Sequence, residues 1–338
     1  MSFSNLADYN LIDIFSYLYI RDASNIMISN KLNKKLIQEY YESTIQKIKC
    51  NLCLWHRTFP NATKLYVQKF NRINNSKCLK NIKILDISLY HYRIDIDIVS
   101  NLQNLTNLNL QGYLCDYAFT DQMFNYLSKL RKLYIDNNHK ITNAGLNLLE
   151  DLEDLHISNC SKITDKGIDN LVKLTKLTLY NMNLTDKVFI KLVKLKELYM
   201  TFQPISDVGI CYLVNLERLT IITCYLIKYI NYDKLLHLKY INIVENKMTN
   251  IDYSYLSKIK HIEIYGCDLC ELDLKYFSNV QILSIIQCSI VDEQLDNVQQ
   301  LKHLQKFHIY RCHISKEKLY QIQKKLGKNK LYTNLISV

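Results

Sequence analysis

Leu152–Leu171 reads LEDLHISNCSKITDKGIDNL, and the pattern inside it decides the fold. Leu152, Leu155 and Ile157 give an apolar spacing of three and then two. Leu155 and Ile157 flank the polar His156, which is the period of a strand with one buried face. Cys160 follows five residues after Leu155, and Ile163 is the next apolar position. Thr164-Asp165 is a helix-start signal, a hydroxyl at the cap and a carboxylate in the first turn. Ile168 and Leu171 then take apolar positions on a short helix. One strand, one turn and one helix cannot enclose a core alone, whereas stacked copies can.

Copies exist. The equivalent of Leu155 recurs at Leu65, Leu85, Leu108, Leu133, Leu177, Leu198, Leu219, Ile241, Ile262, Leu283 and Phe307. The intervals run from 20 to 25 residues, inside the period of about 20–29 that leucine-rich repeats use. The expected fold is therefore α/β: a right-handed, curved leucine-rich-repeat solenoid, with parallel strands on the concave side and short helices on the convex side. It occupies residues 59–338 in about twelve units, with a basic cap from residue 313 and a closing strand in Lys330–Val338.

Composition agrees. The chain has 338 residues with 48% hydrophobic content, ample for a core, and only 6 Gly and 2 Pro, so there are no Gly/Pro-rich linkers. Its richness in Ile, Asn, Lys and Tyr suits an AT-rich genome such as that of a protist or a large DNA virus. The 11 Cys are an odd number, and five of them (Cys160, Cys224, Cys267, Cys288, Cys312) share one repeat position, where Asn138 and Asn246 stand in other units. A small polar group there satisfies the backbone of the turn that leaves the strand. Cysteine as packing material implies a reducing compartment, cytoplasmic or nuclear. No apolar run reaches the ~18 residues of a membrane span. The N-terminal MSFSNLADYN lacks the basic segment and apolar run of a secretory signal.

Residues 1–48 do not fit the repeat. Leu11, Ile14, Phe15 and Leu18 fall on one helical face. Asp22 caps a second short helix carrying Ala23 and Ile26, and a third pattern runs from Leu32 through Leu36 and Tyr40 to Ile48. So small a module needs a neighbour to bury its apolar surface. The stretch Leu6–Leu36, LADYNLIDIFSYLYIRDASNIMISNKLNKKL, resembles the F-box family at Leu6, Leu11, Ile14, Phe15, Tyr17, Leu18, Asp22, Ile26, Ile28, Ser29, Lys31 and Leu36. It departs from the pattern at Ala7, where the family carries Pro, and at Leu32, where it carries an aromatic residue. The resemblance implies a segment that docks on the small adaptor of SCF-type cullin–RING ubiquitin ligases, through Leu6, Leu11, Ile14, Phe15, Leu18 and Ile28. An N-terminal helical cap that shields the first repeat is the alternative.

Residues 49–58 form the junction. Cys50, Cys53 and His56 have metal-like spacing, but a fourth ligand is lacking and helical packing beside Trp55 explains the same residues, so no metal is expected. Cys267 and Cys270 lack the strand–helix context of a redox pair.

The units come in two kinds. Around Ile141–Leu149, Ile163–Leu171, Leu184–Leu192, Ile205–Leu213 and Ile290–Val298 a capping pattern announces short convex helices, with Thr142, Thr164, Thr185 and Ser206 as caps. This kind resembles cysteine-containing leucine-rich repeats, a class that accompanies F-boxes. The block Leu226–Phe277 mostly lacks the pattern, which predicts 3₁₀ or irregular convex segments such as Met248–Leu256.

Strand residues that point away from the core build the concave face. One outward column holds Tyr134, His156, Tyr199 and His308; the next holds Tyr180, Ile222, Val244, Tyr265, Ile286 and Tyr310, with Phe202 just beyond Tyr199. Exposed aromatic and aliphatic groups on an open sheet are candidate anchors for a protein. The expected target-binding residues are Tyr134, His156, Tyr180, Tyr199, Phe202, Ile222, Tyr265 and Tyr310. The alternative is that cross-strand neighbours cover one another and bind nothing. Residues 298–338 hold nine basic groups against one acid, Glu317. That suits an acidic partner or a solvated cap, and no recognition motif for nucleic acid accompanies it. The sequence shows no phosphate-cradling glycine loop, paired-His motif or serine elbow, so neither an enzyme nor a cofactor is expected. His156, His261 and His308 sit on different repeats and read as contact residues rather than bases. The expected protein is a ligase substrate receptor, or else a repeat scaffold with no ubiquitin link.

Overall fold

The computed structural model describes residues 47–48, 63–67, 79–87, 94, 96–111, 119–227, 233–245, 257–269, 272–327 and 330–333. The adaptor-docking positions Leu6, Leu11, Ile14, Phe15, Leu18 and Ile28 lie outside the described residues, as do Cys50, Cys53, His56, Asn246, Cys270 and Met248–Leu256. The chain forms two compact units, Met1–Leu152 and Glu153–Val338.

In the first unit, β1 (Lys47–Ile48), β2 (Lys64–Val67), β3 (Ile84–Asp86), β4 (Asn107–Leu110) and β5 (Lys132–Asp136) pair in parallel, each with the next. Leu65, Leu85, Leu108 and Leu133 stand opposite one another across this sheet. Ile48, which the helical pattern claimed, lies in β1 instead, so pairing begins before the first unit legible in the sequence.

The second unit contains β6 (Asp154–Ser158), β7 (Lys176–Tyr180), β8 (Glu197–Thr201), β9 (Arg218–Ile222), β10 (Tyr240–Val244), β11 (His261–Tyr265), β12 (Ile282–Ile286), β13 (Lys306–Tyr310) and β14 (Leu331–Thr333). These too are parallel in sequence order. Leu155, Leu177, Leu198, Leu219, Ile241, Ile262, Leu283, Phe307 and Leu331 form one row. All twelve positions of the repeat series, from Leu65 to Phe307, are at most 3% exposed. A slip of one residue would turn such a row out to solvent, so burial sets the register.

The opposite side carries short helices. They are α1 (Ile96–Val99), α2 (Asp121–Phe124) and α3 (Asn143–Leu146) in the first unit, and α4 (Asp165–Ile168), α5 (Asp207–Ile210) and α6 (Lys316–Leu326) in the second. Segments Asp186–Phe189, Leu274–Tyr276 and Asp292–Gln300 are 3₁₀. Thr142, Thr164, Thr185 and Ser206 all stand at N-caps in extended conformation, and the hydroxyls of Thr142, Thr185 and Ser206 accept from the N–H two residues on. The unit at Ile290–Val298 differs from the α-helical units: its cap is Val291, which carries no hydroxyl, and Gln294 Oε1 accepts the Val291 N–H instead. Among the described residues no helix is long and apolar enough to cross a membrane.

The aspartates of these first turns also bind the following unit. The Asp121 carboxylate accepts both the N–H and the hydroxyl of Thr142, at 2.8 and 2.6 Å. Asp165 does the same for Thr185, Asp186 for Ser206 and Asp292 for Ser315. Gly145 and Gly209 make room for this bridge. A Cβ at Gly145 would stand 2.2 Å from Asp121 Oδ1, and one at Gly209 would stand 2.6 Å from Asp186 Oδ1.

Each strand from β5 to β13 is followed by a residue with positive φ: Asn137, Asn159, Asn181, Phe202, Thr223, Glu245, Gly266, Gln287 and Arg311. The next position is the one shared by asparagine and cysteine. Asn138 Oδ1 accepts the N–H groups of Lys140 and Ile141, both at 2.8 Å. The thiols of Cys160, Cys224, Cys267, Cys288 and Cys312 donate to the carbonyl two residues back, at 3.2 to 3.4 Å. Gln203 occupies this position in its own unit and makes the same bond through Nε2 to the Thr201 carbonyl, at 2.9 Å. The six described cysteines are free thiols. Burial pushes the Cys224 and Cys312 thiols up, and the Cys288 thiol up to about 11.

Candidate protein-binding face

The side chains between and beyond the buried rows form the sheet face. In the second unit, alternation places His156, Thr178, Tyr199, Thr220, Asn242, Glu263, Ser284 and His308 in one row, and Ser158, Tyr180, Thr201, Ile222, Val244, Tyr265, Ile286 and Tyr310 in another. Tyr134 lies on β5 of the first unit and is half-buried.

Over β7 and β8 the face is aromatic and uncharged. Tyr180 and Tyr199 are each 38% exposed and Phe202 is 46% exposed. Short neighbours explain why the tyrosine rings stand clear: Tyr199 lies between Thr178 and Thr220, and Tyr180 between Ser158 and Thr201. Phe202 packs edge-on against Tyr180, with ring centroids 5.7 Å apart and planes at 88°. Phe202 has φ 51, a left-handed conformation that is costly for a bulky residue and that asparagine or glycine tolerates well.

Ile222, Val244, Tyr265, Ile286 and Tyr310 are half-buried, not the exposed stripe that alternation alone suggested. In-register parallel pairing brings these side chains about 4.8 Å apart, and each shields its neighbours. Tyr265 also donates its hydroxyl to Gln287 Oε1, at 2.6 Å.

Over β9 to β13 the face holds a polar cluster centred on Glu263. Its two carboxylate oxygens meet His261 Nε2 at 2.8 Å and the Tyr240 hydroxyl at 2.9 Å. The Arg218 guanidinium covers the Tyr240 ring at 4.0 Å. Ser284 Oγ and His308 Nδ1 are 3.0 Å apart, and the His308 ring packs on Tyr332 at 4.9 Å. The bond from His261 holds Glu263 below the usual carboxylate range. Burial pushes Tyr240 up, helped by Glu263. Burial pulls His308 down, helped by Lys306. Ser284 stands between Glu263 and His308 in its row, whereas a nucleophilic triad needs the base between nucleophile and carboxylate; the cluster is suited to polar contact.

The structure thus brings Tyr180, Tyr199 and Phe202 together. His156 is half-buried in the same face, and Tyr310 sits beside His308 at 6.3 Å. Arg218 and Tyr240 were missed from the sequence because they precede the first core residue of their strands. Extending the alternation one residue earlier in each unit finds them.

No known protein family and no curated protein matches the chain by sequence. Solved structures do match in shape. An internalin from Listeria monocytogenes is similar at 21% identity and TM-score 0.58, over 82% of this chain and 87% of its own. A chain of the TLR13–ssRNA13 complex is similar at 17% identity and TM-score 0.59, over 77% of this chain and 41% of its own. A chain of the Drosophila Toll–Spatzle complex is similar at 13% identity and TM-score 0.52, over 86% of this chain and 46% of its own. The chain spans less than half the length of the latter two. With the parallel in-register strands and buried leucine rows, these likenesses show that the chain has the leucine-rich-repeat fold.

Proposed function

We propose that the protein is a binding scaffold that holds a protein partner on the sheet face of its second unit, anchored by Tyr180, Tyr199 and Phe202. The observation that carries this reading is the exposed aromatic trio, with one ring kept in a backbone conformation unfavourable for it. Clustered exposed aromatics are the usual anchors of protein interfaces. The half-buried row from Ile222 to Tyr310 extends the apolar surface, and the Glu263 cluster supplies polar contacts beside it on the same strands. The scaffold acts by holding its partner, with no chemistry of its own.

The test is recovery of partners by wild type and by the double variant Tyr180→Ala/Tyr199→Ala, followed by affinity measurement on the purified pair. Loss of two anchors should cost about 2 kcal/mol or more, a thirtyfold weakening. Unchanged affinity would move the site off this face.

A finer reading makes the scaffold a substrate receptor of an SCF-type cullin–RING ubiquitin ligase. The apolar pattern Leu6, Leu11, Ile14, Phe15, Leu18 and Ile28 supports it. In that reading residues 1–48 dock on the adaptor and the repeats present the target at high effective concentration. Leu18→Asp would put a charge into a desolvated contact, so the variant should lose the adaptor in co-precipitation and keep the sheet-face partner. Adaptor binding by neither protein would leave the scaffold without a ubiquitin link.

A further inference from the structure

A second apolar surface lies away from the sheet face, on the turns that lead into the strands. Val172, Val193, Val214 and Leu236 occupy one repeat position, five residues before the buried Leu177, Leu198, Leu219 and Ile241. They are 43%, 49%, 43% and 61% exposed. The residue just before each one, Leu171, Leu192, Leu213 and Leu235, is the one that enters the core, so the exposed group is not a misplaced core residue. The same position in the following units holds Ser257, Ser278 and Lys302, which ends the stripe after four turns. Ile190, at 48% exposure, and Tyr212, at 40%, stand three and two residues before Val193 and Val214 and widen it.

The turns are tied together at a fixed spacing. Lys196 N donates to the Thr175 carbonyl, Glu217 N to Lys196 and Lys239 N to Glu217, all within 2.9 Å. Asn215 Nδ2 donates to the Val193 carbonyl at 2.8 Å. The four side chains are therefore spaced as strands are, about 4.8 Å apart. An α-helix rises about 5.4 Å per turn. Over three intervals the two spacings differ by about 2 Å, less than the width of a side chain. A helix laid along the stripe keeps one apolar side chain per turn against it through three turns. The border is basic. Lys191, Lys194 and Lys234 are exposed on these turns. Of the acids on these turns, Glu217 is already bracketed by Lys196 at 3.2 Å and Lys239 at 2.8 Å, and Asp233 stands exposed next to Lys234, so among the described residues the free lysines are Lys191 and Lys194 at the middle of the stripe.

We infer that the Val172–Val193–Val214–Leu236 stripe is a docking surface for an amphipathic helix with acidic flanks, supplied by a partner protein. Apolar anchors at three-to-four-residue spacing fit the ladder of turns, and carboxylates beside them meet the lysines. This surface is separate from the aromatic trio and stands whether or not the sheet face binds.

The test selects helices from a displayed library of single-helix peptides on the whole chain and measures the enriched peptides by fluorescence anisotropy. The expected peptides carry apolar residues every three or four positions over three turns, flanked by Asp or Glu. Val193→Asn/Val214→Asn should weaken them at least tenfold, Lys191→Gln/Lys194→Gln should weaken them and reduce their salt dependence, and Tyr180→Ala/Tyr199→Ala should leave them unchanged. All six substitutions in these three double variants fall on exposed side chains, and a thermal melt of each variant confirms that it is folded. The inference is overturned if no helix is enriched, if the valine variants bind as wild type does, or if only the tyrosine variant loses binding. It is also overturned if vesicles of phosphatidylcholine and phosphatidylserine, and no peptide, bind through these valines.

Discussion

Gly145→Ala puts a methyl group where the Asp121 carboxylate now sits. The added carbon would lie 2.2 Å from Oδ1 and 2.8 Å from Cγ of Asp121, and 3.0 Å from Phe124 Cδ2. The phenyl ring can yield a few tenths of an ångström, but the carboxylate can escape only by giving up Thr142. Its two hydrogen bonds there, at 2.8 and 2.6 Å, go to a charged acceptor, a class worth about 1.5–3 kcal/mol each. Asp121 is half-exposed, so Asp121→Ala should cost about 3 kcal/mol in all, at the low end of that range. Gly145→Ala loses the same bonds and recovers about 0.5–1 kcal/mol of helix propensity, leaving a net loss of about 2 kcal/mol. In Asp121→Ala/Gly145→Ala the clash is gone, so the second substitution should cost nothing further. The four proteins of this cycle are compared by urea unfolding followed by circular dichroism. A coupling of about 2 kcal/mol is expected. Additivity within about 0.5 kcal/mol would refute the argument that glycine is present to admit the carboxylate of the preceding unit.

Asn138→Ala leaves the buried N–H of Ile141 and the part-buried N–H of Lys140 without their acceptor and should cost about 2 kcal/mol by the same unfolding assay. The Ser315 hydroxyl and N–H hold Asp292 below its ordinary value of 3.8. Its contribution is present above that pH and lost as pH falls through the depressed folded value, so an acid titration of stability should be shallower for Asp292→Ala. Cys288 behaves in the opposite sense. Its thiol is raised from 9.0 to about 11 by burial, so its contribution is complete below pH 9 and lost as pH rises through about 11. The melting temperature should fall across that window, less steeply in Cys288→Ala, and Cys288 should resist alkylation in the native protein.

The one-dimensional plan of the fold is written in the sequence because each unit rests mainly on its neighbours. Leu155, five residues before a turn residue such as Cys160 and nine before a capping hydroxyl such as Thr164, is local information, and several copies restate it. Strand faces, the helix caps and the polar position after each strand follow from spacing alone. What spacing does not contain is the neighbour across the ladder. That Tyr180 is more exposed than Tyr265 depends on Ser158 and Thr201 beside the first, and on Val244 and Ile286 beside the second, all about 20 residues away in sequence. The same distance separates Asp121 from Thr142, Glu263 from Tyr240, and Val172 from Val193, so the capping bridges, the polar cluster and the apolar stripe exist only once the turns are stacked. Alternation determines which side of the sheet a residue faces; the size of its partners in the adjacent rungs decides how much of it water can reach.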